Sequence, residues 1–116
     1  MAAPAANAGT RFEWRACKES MAGIQIFRRY LVLGRVQGVG FRWFVEREAR
    51  MIGVGGWVRN RDDGAVEVLA VGTNAQLGTL YDRLREGPRA ARIDQVEVED
   101  AAPFSGYKTF QIEETR

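Results

Sequence analysis

Apolar side chains in this chain recur with two different periods, and the period changes where glycines interrupt. Phe27–Val36 is rich in aliphatic and aromatic residues, with Leu31 and Leu33 on one face, which predicts a β-strand. Gly34, Gly38 and Gly40 break it into a glycine-rich loop. Phe41, Phe44, Val45, Ala49 and Ile52 follow at helical spacing as one apolar stripe, which Gly53, Gly55 and Gly56 end. Trp57–Asn60 reads as a short strand, Arg61–Gly64 as a turn carrying Asp-Asp-Gly, and Ala65–Val71 as its hairpin partner.

The second half repeats the plan. Thr73 and Gln76 have the spacing of a capping box, in which each side chain serves the other residue's backbone N–H. Leu77, Leu80, Tyr81 and Leu84 supply that helix with its buried stripe, and Gly87-Pro88 closes it. In Arg92–Glu99, Ile93, Gln95 and Glu97 alternate with Asp94, Val96 and Val98, a strand of mixed faces. Tyr107, Phe110 and Ile112 predict a last short strand. The order strand, helix, strand, strand, helix, strand predicts an α+β ferredoxin-like two-layer sandwich (βαββαβ). Its sheet is mostly antiparallel, both helices lie on one face, and the C-terminal strand is added to it. Residues 1–25 lack any such periodicity and are expected to form a flexible N-terminal extension to a domain over 26–116, with Met21 a candidate start.

Composition narrows the chemistry. The 116 residues, 46% hydrophobic and 28% charged, suit one globular domain, and no apolar run is long enough to span a bilayer. A formal charge of +2 is too small an excess to imply nucleic acid. The chain has no His, which removes phosphohistidine, Ser-His-Asp and His-ligated zinc mechanisms. Its one cysteine, Cys17, cannot form an intrachain disulfide and lacks an Arg at the spacing of a Cys-dependent phosphatase. Asp62 and Asp63 belong to the turn, and no carboxylate cluster has the spacing of a metal site. Catalysis is left to Arg, Lys, carboxylates, Asn, hydroxyls and the backbone.

The loop from Gly34 to Arg42 is where such chemistry is to be sought. Glycines let successive N–H groups turn inward, and the helix that follows adds free N–H groups and the positive end of its dipole. Arg42 at the helix start can add a bidentate clamp, so a phosphoryl group fits the combination. The loop lacks the Gly-Lys-Ser/Thr of a Walker motif and the third Gly of a dinucleotide fingerprint. On glycine spacing alone, a tight turn with surface arginines explains it equally well. Asn60, taken alone, reads as a residue that caps a bend.

Gly-Arg-Val-Gln-Gly-Val-Gly-Phe-Arg (34–42), with Glu46, Ala49, Gly53, Gly56-Trp57-Val58-Arg59-Asn60 and Asp63-Gly64, resembles the acylphosphatase signature. Two separated blocks match in order and separation, and the resemblance runs from about Phe27 to the C-terminus. The N-terminal extension and Gly40 depart from it. The resemblance implies an enzyme that hydrolyses the carboxyl–phosphate bond of acyl phosphates. Its phosphate-binding loop would be Gln37, Gly38, Val39, Gly40, Phe41 and Arg42, with Arg42 binding phosphate and Asn60 orienting the attacking water. It implies no metal and no cofactor, and a cytoplasmic monomer. Acyl phosphates and inorganic phosphate would be its partners, with no nucleic acid and no membrane. The chemistry is consistent: the leaving carboxylate has a conjugate acid of pKa ~4 and departs without a general acid, so positioning and charge stabilisation suffice.

Two other functions suit the same topology. A non-catalytic phosphate- or anion-binding module would be favoured by loss of Arg42 or Asn60. An RNA-binding sheet needs paired aromatics on adjacent central strands; Tyr30 is a candidate, but Ala65–Val71 carries no aromatic. Trp57, Phe41 and Phe44 are expected in the core, Arg35, Arg59 and Arg61 in solvent, and Glu46, Glu48 and Arg50 on an exposed helix face.

Overall fold

A computed structural model describes residues 25–104 and 109–115. Its elements are β1 (Ile26–Arg35), α1 (Phe41–Ile52), β2 (Gly55–Asn60), β3 (Val66–Gly72), α2 (Asn74–Glu86), β4 (Arg92–Asp100) and β5 (Phe110–Ile112). Cys17, Met21 and the rest of residues 1–24, like Tyr107, lie outside the described residues. The strands form one sheet in the order β4-β1-β3-β2-β5. β5 runs parallel to β2, and the other neighbours are antiparallel. Each strand–helix–strand unit therefore straddles a strand of the other, which is the α+β ferredoxin-like arrangement.

One core lies between the sheet and the two helices. Phe41, Phe44, Val45 and Ala49 of α1 and Leu77, Leu80 and Leu84 of α2 pack on Tyr30, Val32, Val58, Val66, Val68, Ala70 and Phe110. The capping box of α2 forms as expected: Gln76 N donates to Thr73 Oγ1 at 3.2 Å, and Thr73 N donates to Gln76 Oε1 at 2.9 Å. Gln76 Nε2 also donates to the Ile52 carbonyl at 3.2 Å, so one side chain starts α2 and satisfies the end of α1.

Two expectations about sheet residues are corrected, those for Tyr30 and Trp57. In β1 Leu31 and Leu33 share one face as expected; it is the outer one, where they are half-buried, and the inward residues are Tyr30 and Val32. Tyr30 is a core residue, its hydroxyl donating to the Leu77 carbonyl at 3.0 Å, and so it offers no stacking platform for RNA. Burial raises its pKa by disfavouring the phenolate. In β2 the inward position belongs to Val58, and Trp57, one residue earlier, lies on the outer face.

The alternation of β4 is broken by a register shift. Leu33 stands opposite Gln95 but Gly34 opposite Ile93, leaving Asp94 as the extra residue of a bulge. Ile93 and Val96 thereby reach the same side and both pack against the core. A Cβ on Gly34, at φ 137°, would overlap the Arg92 carbonyl oxygen, so only glycine permits this approach.

Candidate active site

The loop after β1 bends into α1 through Gly40, which holds φ 77° and ψ 20° in the left-handed region. A Cβ there would meet nothing within 4 Å, so backbone shape, and not crowding, calls for glycine. Gly40 caps α1 without a side-chain hydrogen bond, and the first turn holds no acidic residue. The first backbone bond of the helix runs from Phe44 N to the Gly40 carbonyl at 3.0 Å. The N–H groups of Phe41, Arg42 and Trp43 therefore lack an intrahelical acceptor, and the first turn of the helix supplies no counter-charge to the positive end of its dipole.

These groups open on a cleft of about 200 Å³. The loop and the first turn of α1 line it with Val36, Gly38, Gly40, Phe41, Arg42 and Trp43. The end of β2 contributes Asn60, and β5 contributes Ile112. Arg42 and Asn60, distant in sequence, thus share one cavity. Neither the Arg42 guanidinium nor the Asn60 carboxamide makes a hydrogen bond or ion pair among the described residues. A cation, an amide and a helix start that lack partners among the described residues can receive a tetrahedral anion and a water.

Gln37 and Val39, the other loop residues, are placed differently. Val39 packs against the core. Gln37 Nε2 donates to the Arg61 carbonyl at 2.7 Å and to the Ala65 carbonyl at 2.9 Å. It thereby ties the loop to the hairpin that presents Asn60. The hairpin is closed by Arg61 N donating to the Ala65 carbonyl at 2.8 Å and by Ala65 N donating to Asp63 Oδ1 at 3.1 Å. That backbone N–H, with Arg61 nearby, holds the Asp63 carboxyl below the usual carboxylate range.

The remaining charges are mostly occupied. Arg35 is exposed as expected, and Arg61 Nη2 pairs with Asp63 at 3.1 Å. Arg59 is not free in solvent: its Nε donates to Glu67 Oε1 at 2.9 Å, and its guanidinium stacks 4.6 Å from the Trp57 ring centroid. Arg50 pairs with Glu46 at 3.3 Å and also donates from Nε and Nη2 to the Phe110 carbonyl. Glu48 is half-buried between Arg47 at 3.2 Å and Arg83 at 3.4 Å, bridging the helices. Among the described residues, no three His, Cys, Asp or Glu converge to hold a metal, and no helix is long and apolar enough to cross a membrane.

Sequence reasoning passed over two residues. Trp43 falls off the apolar stripe of α1 and stands 60% exposed on the cleft rim; a large apolar side chain on the polar face, directly after Arg42, was the available signal. Glu67 is only 5% exposed. Its alternation with Val66 and Val68 marks it as outward, but nothing local reveals that two arginines cover it.

The family model described as acylphosphatase matches residues 28–112. An acylphosphatase of Koribacter versatilis (strain Ellin345) is 62% identical over 96 residues, covering 83% of this chain and 87% of that protein. The crystal structure of acylphosphatase from Bacillus subtilis matches with a TM-score of 0.73 at 38% identity, covering 78% of this chain and 99% of that one. An acylphosphatase from Coxiella burnetii matches with a TM-score of 0.72 at 32% identity, covering 77% and 93%.

Proposed function

The chain belongs to the acylphosphatase family, and on that premise we propose that Arg42 and Asn60 are the residues through which it acts. The enzyme hydrolyses acyl phosphates to a carboxylate and inorganic phosphate. The observation that supports this assignment is their meeting, both without a partner among the described residues, in the cleft at the start of α1.

The phosphoryl oxygens accept hydrogen bonds from the N–H groups of the loop and first helical turn, and from the Arg42 guanidinium. The Asn60 carboxamide holds a water in line with the bond to be broken. Water oxygen bonds to phosphorus as the bond from phosphorus to the acyl oxygen breaks, and its electron pair leaves on the carboxylate. The proton lost by the water passes to a phosphate oxygen, so no side chain must act as acid or base. Arg42 and the N–H groups stabilise the charge spread over the transferring group, which is the main requirement of a loose phosphoryl transfer. A non-catalytic anion-binding module is not favoured, since the relatives matched at up to 62% identity are acylphosphatases and the chain keeps both Arg42 and Asn60.

The reading extends to a metal-free activity carried by residues 26–116, in a monomer of the cytoplasm. Light scattering tests the mass and cell fractionation the compartment. Acetyl phosphate hydrolysis, measured with and without a chelator on the full chain and on residues 26–116, tests the rest. Equal rates in all arms are expected. Inhibition by the chelator that added divalent metal reverses would overturn the metal-free mechanism, and an inactive 26–116 segment would overturn the domain assignment.

A further inference from the structure

We infer that Trp43 and Ile112 form a subsite for the acyl group, and that the enzyme favours acyl phosphates whose acyl group is apolar and several carbons long. This rests on the function proposed above. Among the described residues the exposed large apolar side chains are Trp43, Met51, Val98 and Ile112, and two of them flank the cleft that holds Arg42 and Asn60. A single exposed apolar residue needs no explanation. Two of them, from the first turn of α1 and the end of β5, meeting beside the polar groups of one cavity form a patch continuous with the site.

Core packing does not account for either residue. The inward stripe of α1 is filled by Phe41, Phe44, Val45 and Ala49, and Trp43 is 60% exposed. The Arg47 guanidinium lies 5.1 Å from the Trp43 ring centroid, one helical turn on, and so steadies the ring over the cleft. Ile112 is 40% exposed at the last position of β5, where the following residue is anchored by Glu113 N donating to the Val58 carbonyl at 2.8 Å. Both walls are thus held before substrate arrives, which limits the entropy lost on binding.

The covalent structure of the substrate connects this rim to the chemistry. One oxygen joins phosphorus to the acyl carbon, so a phosphoryl group seated at Arg42 and the α1 N-terminus starts the acyl chain inside the same cleft. A chain of several carbons then lies against Trp43 and Ile112, whereas an acetyl group is too short to cover them. A charged acyl group would have to lose water against an apolar wall. Each methylene removed from water should raise kcat/KM roughly two- to fourfold, less than full burial because the rim is open.

The test is the series acetyl, butanoyl and hexanoyl phosphate, whose leaving carboxylates differ little in basicity. In the unaltered enzyme kcat/KM should rise by about tenfold or more from acetyl to hexanoyl. Trp43→Ala should flatten the rise, Ile112→Ala should reduce it, and Trp43→Phe should keep most of it. Methyl-, butyl- and hexylphosphonate, as inhibitors of acetyl phosphate hydrolysis by the unaltered enzyme, should tighten in the same order, a readout independent of whether any variant folds. A flat series in the unaltered enzyme, or an equal slope in folded Trp43→Ala, would overturn the subsite. Failure of the unaltered enzyme to hydrolyse any of the three would instead overturn the proposed function.

Discussion

The molecule places arginines on both sides of its sheet, with opposite results. On the outer face, Arg29 Nε donates to Glu67 Oε2 at 2.6 Å and Arg59 Nη2 meets Glu67 Oε1 at 2.8 Å, while Arg29 Nη1 also donates to Glu99 at 2.9 Å. Burial alone would push the Glu67 carboxyl up, but the hydrogen bonds and charges of Arg29 and Arg59 outweigh it and hold the carboxyl below its ordinary range. On the helix side, Arg42 faces glycines, a helix N-terminus and Asn60, with no carboxylate partner among the described residues. The residue type is the same in both places. Where the fold supplies the counter-charge the guanidinium ties strands together; at Arg42 the described residues supply no carboxylate, which is what the proposed binding of an external anion requires.

The sharpest break of this contrast is Arg42→Ala. It should lower kcat/KM about a hundred- to a thousandfold, as loss of a transition-state charge partner does, and raise the inhibition constant of inorganic phosphate. Near-normal activity in a folded Arg42→Ala enzyme would move the site elsewhere.

Asn60→Ala should cost about a hundredfold in kcat through lost water alignment, with phosphate inhibition and thermal stability close to the unaltered enzyme. Phosphate binding that collapses along with turnover would make Asn60 part of the anion cradle instead.

Gln37→Ala should reduce kcat by about tenfold, because the loop and hairpin lose the brace that sets Asn60 against Arg42. The phosphate inhibition constant should hold, since the loop N–H groups and Arg42 remain. A loss of stability without any change in kcat would reduce Gln37 to a structural link.

The outer face should respond in the reverse sense. Glu67→Gln should destabilise the fold by about 1–3 kcal/mol, the lower end being expected because both arginines are partly solvated. Its kcat should stay within about twofold, since Glu67 lies across the sheet from the cleft. The folded pKa of Glu67 lies below its ordinary value of 4.5, so its contribution is fully present above that pH and is lost as pH falls through the lower folded value. Thermal unfolding followed from about pH 6 to about pH 3 should therefore show the unaltered enzyme losing more stability than Glu67→Gln. Equal losses would show that the network contributes nothing through Glu67.

Local signals carried much of this molecule. The stripe of Phe41, Phe44, Val45 and Ala49, the Thr73–Gln76 box and the turn at Arg61–Gly64 each depend on residues within a few positions of one another, and each appears where its pattern placed it. The glycine loop ending in Arg42 is equally local. Asn60 differed: by itself it was a turn residue, and only the paired sequence blocks singled it out.

What the sequence determined alone was the set of elements and their order, because periodicity, capping and glycine conformations act through near neighbours along the chain. Tertiary structure decided which side of each strand is inside. The bulge at Asp94 inverts the parity of β4, the inward position of Val58 turns Trp57 out, and the Arg29–Glu67 pair joins residues 38 positions apart. Tertiary structure also joined Arg42, Asn60, Trp43 and Ile112 at one cleft. Such relations arise between strands and helices distant in sequence, where a shift of one residue reverses the face and no local pattern can record it.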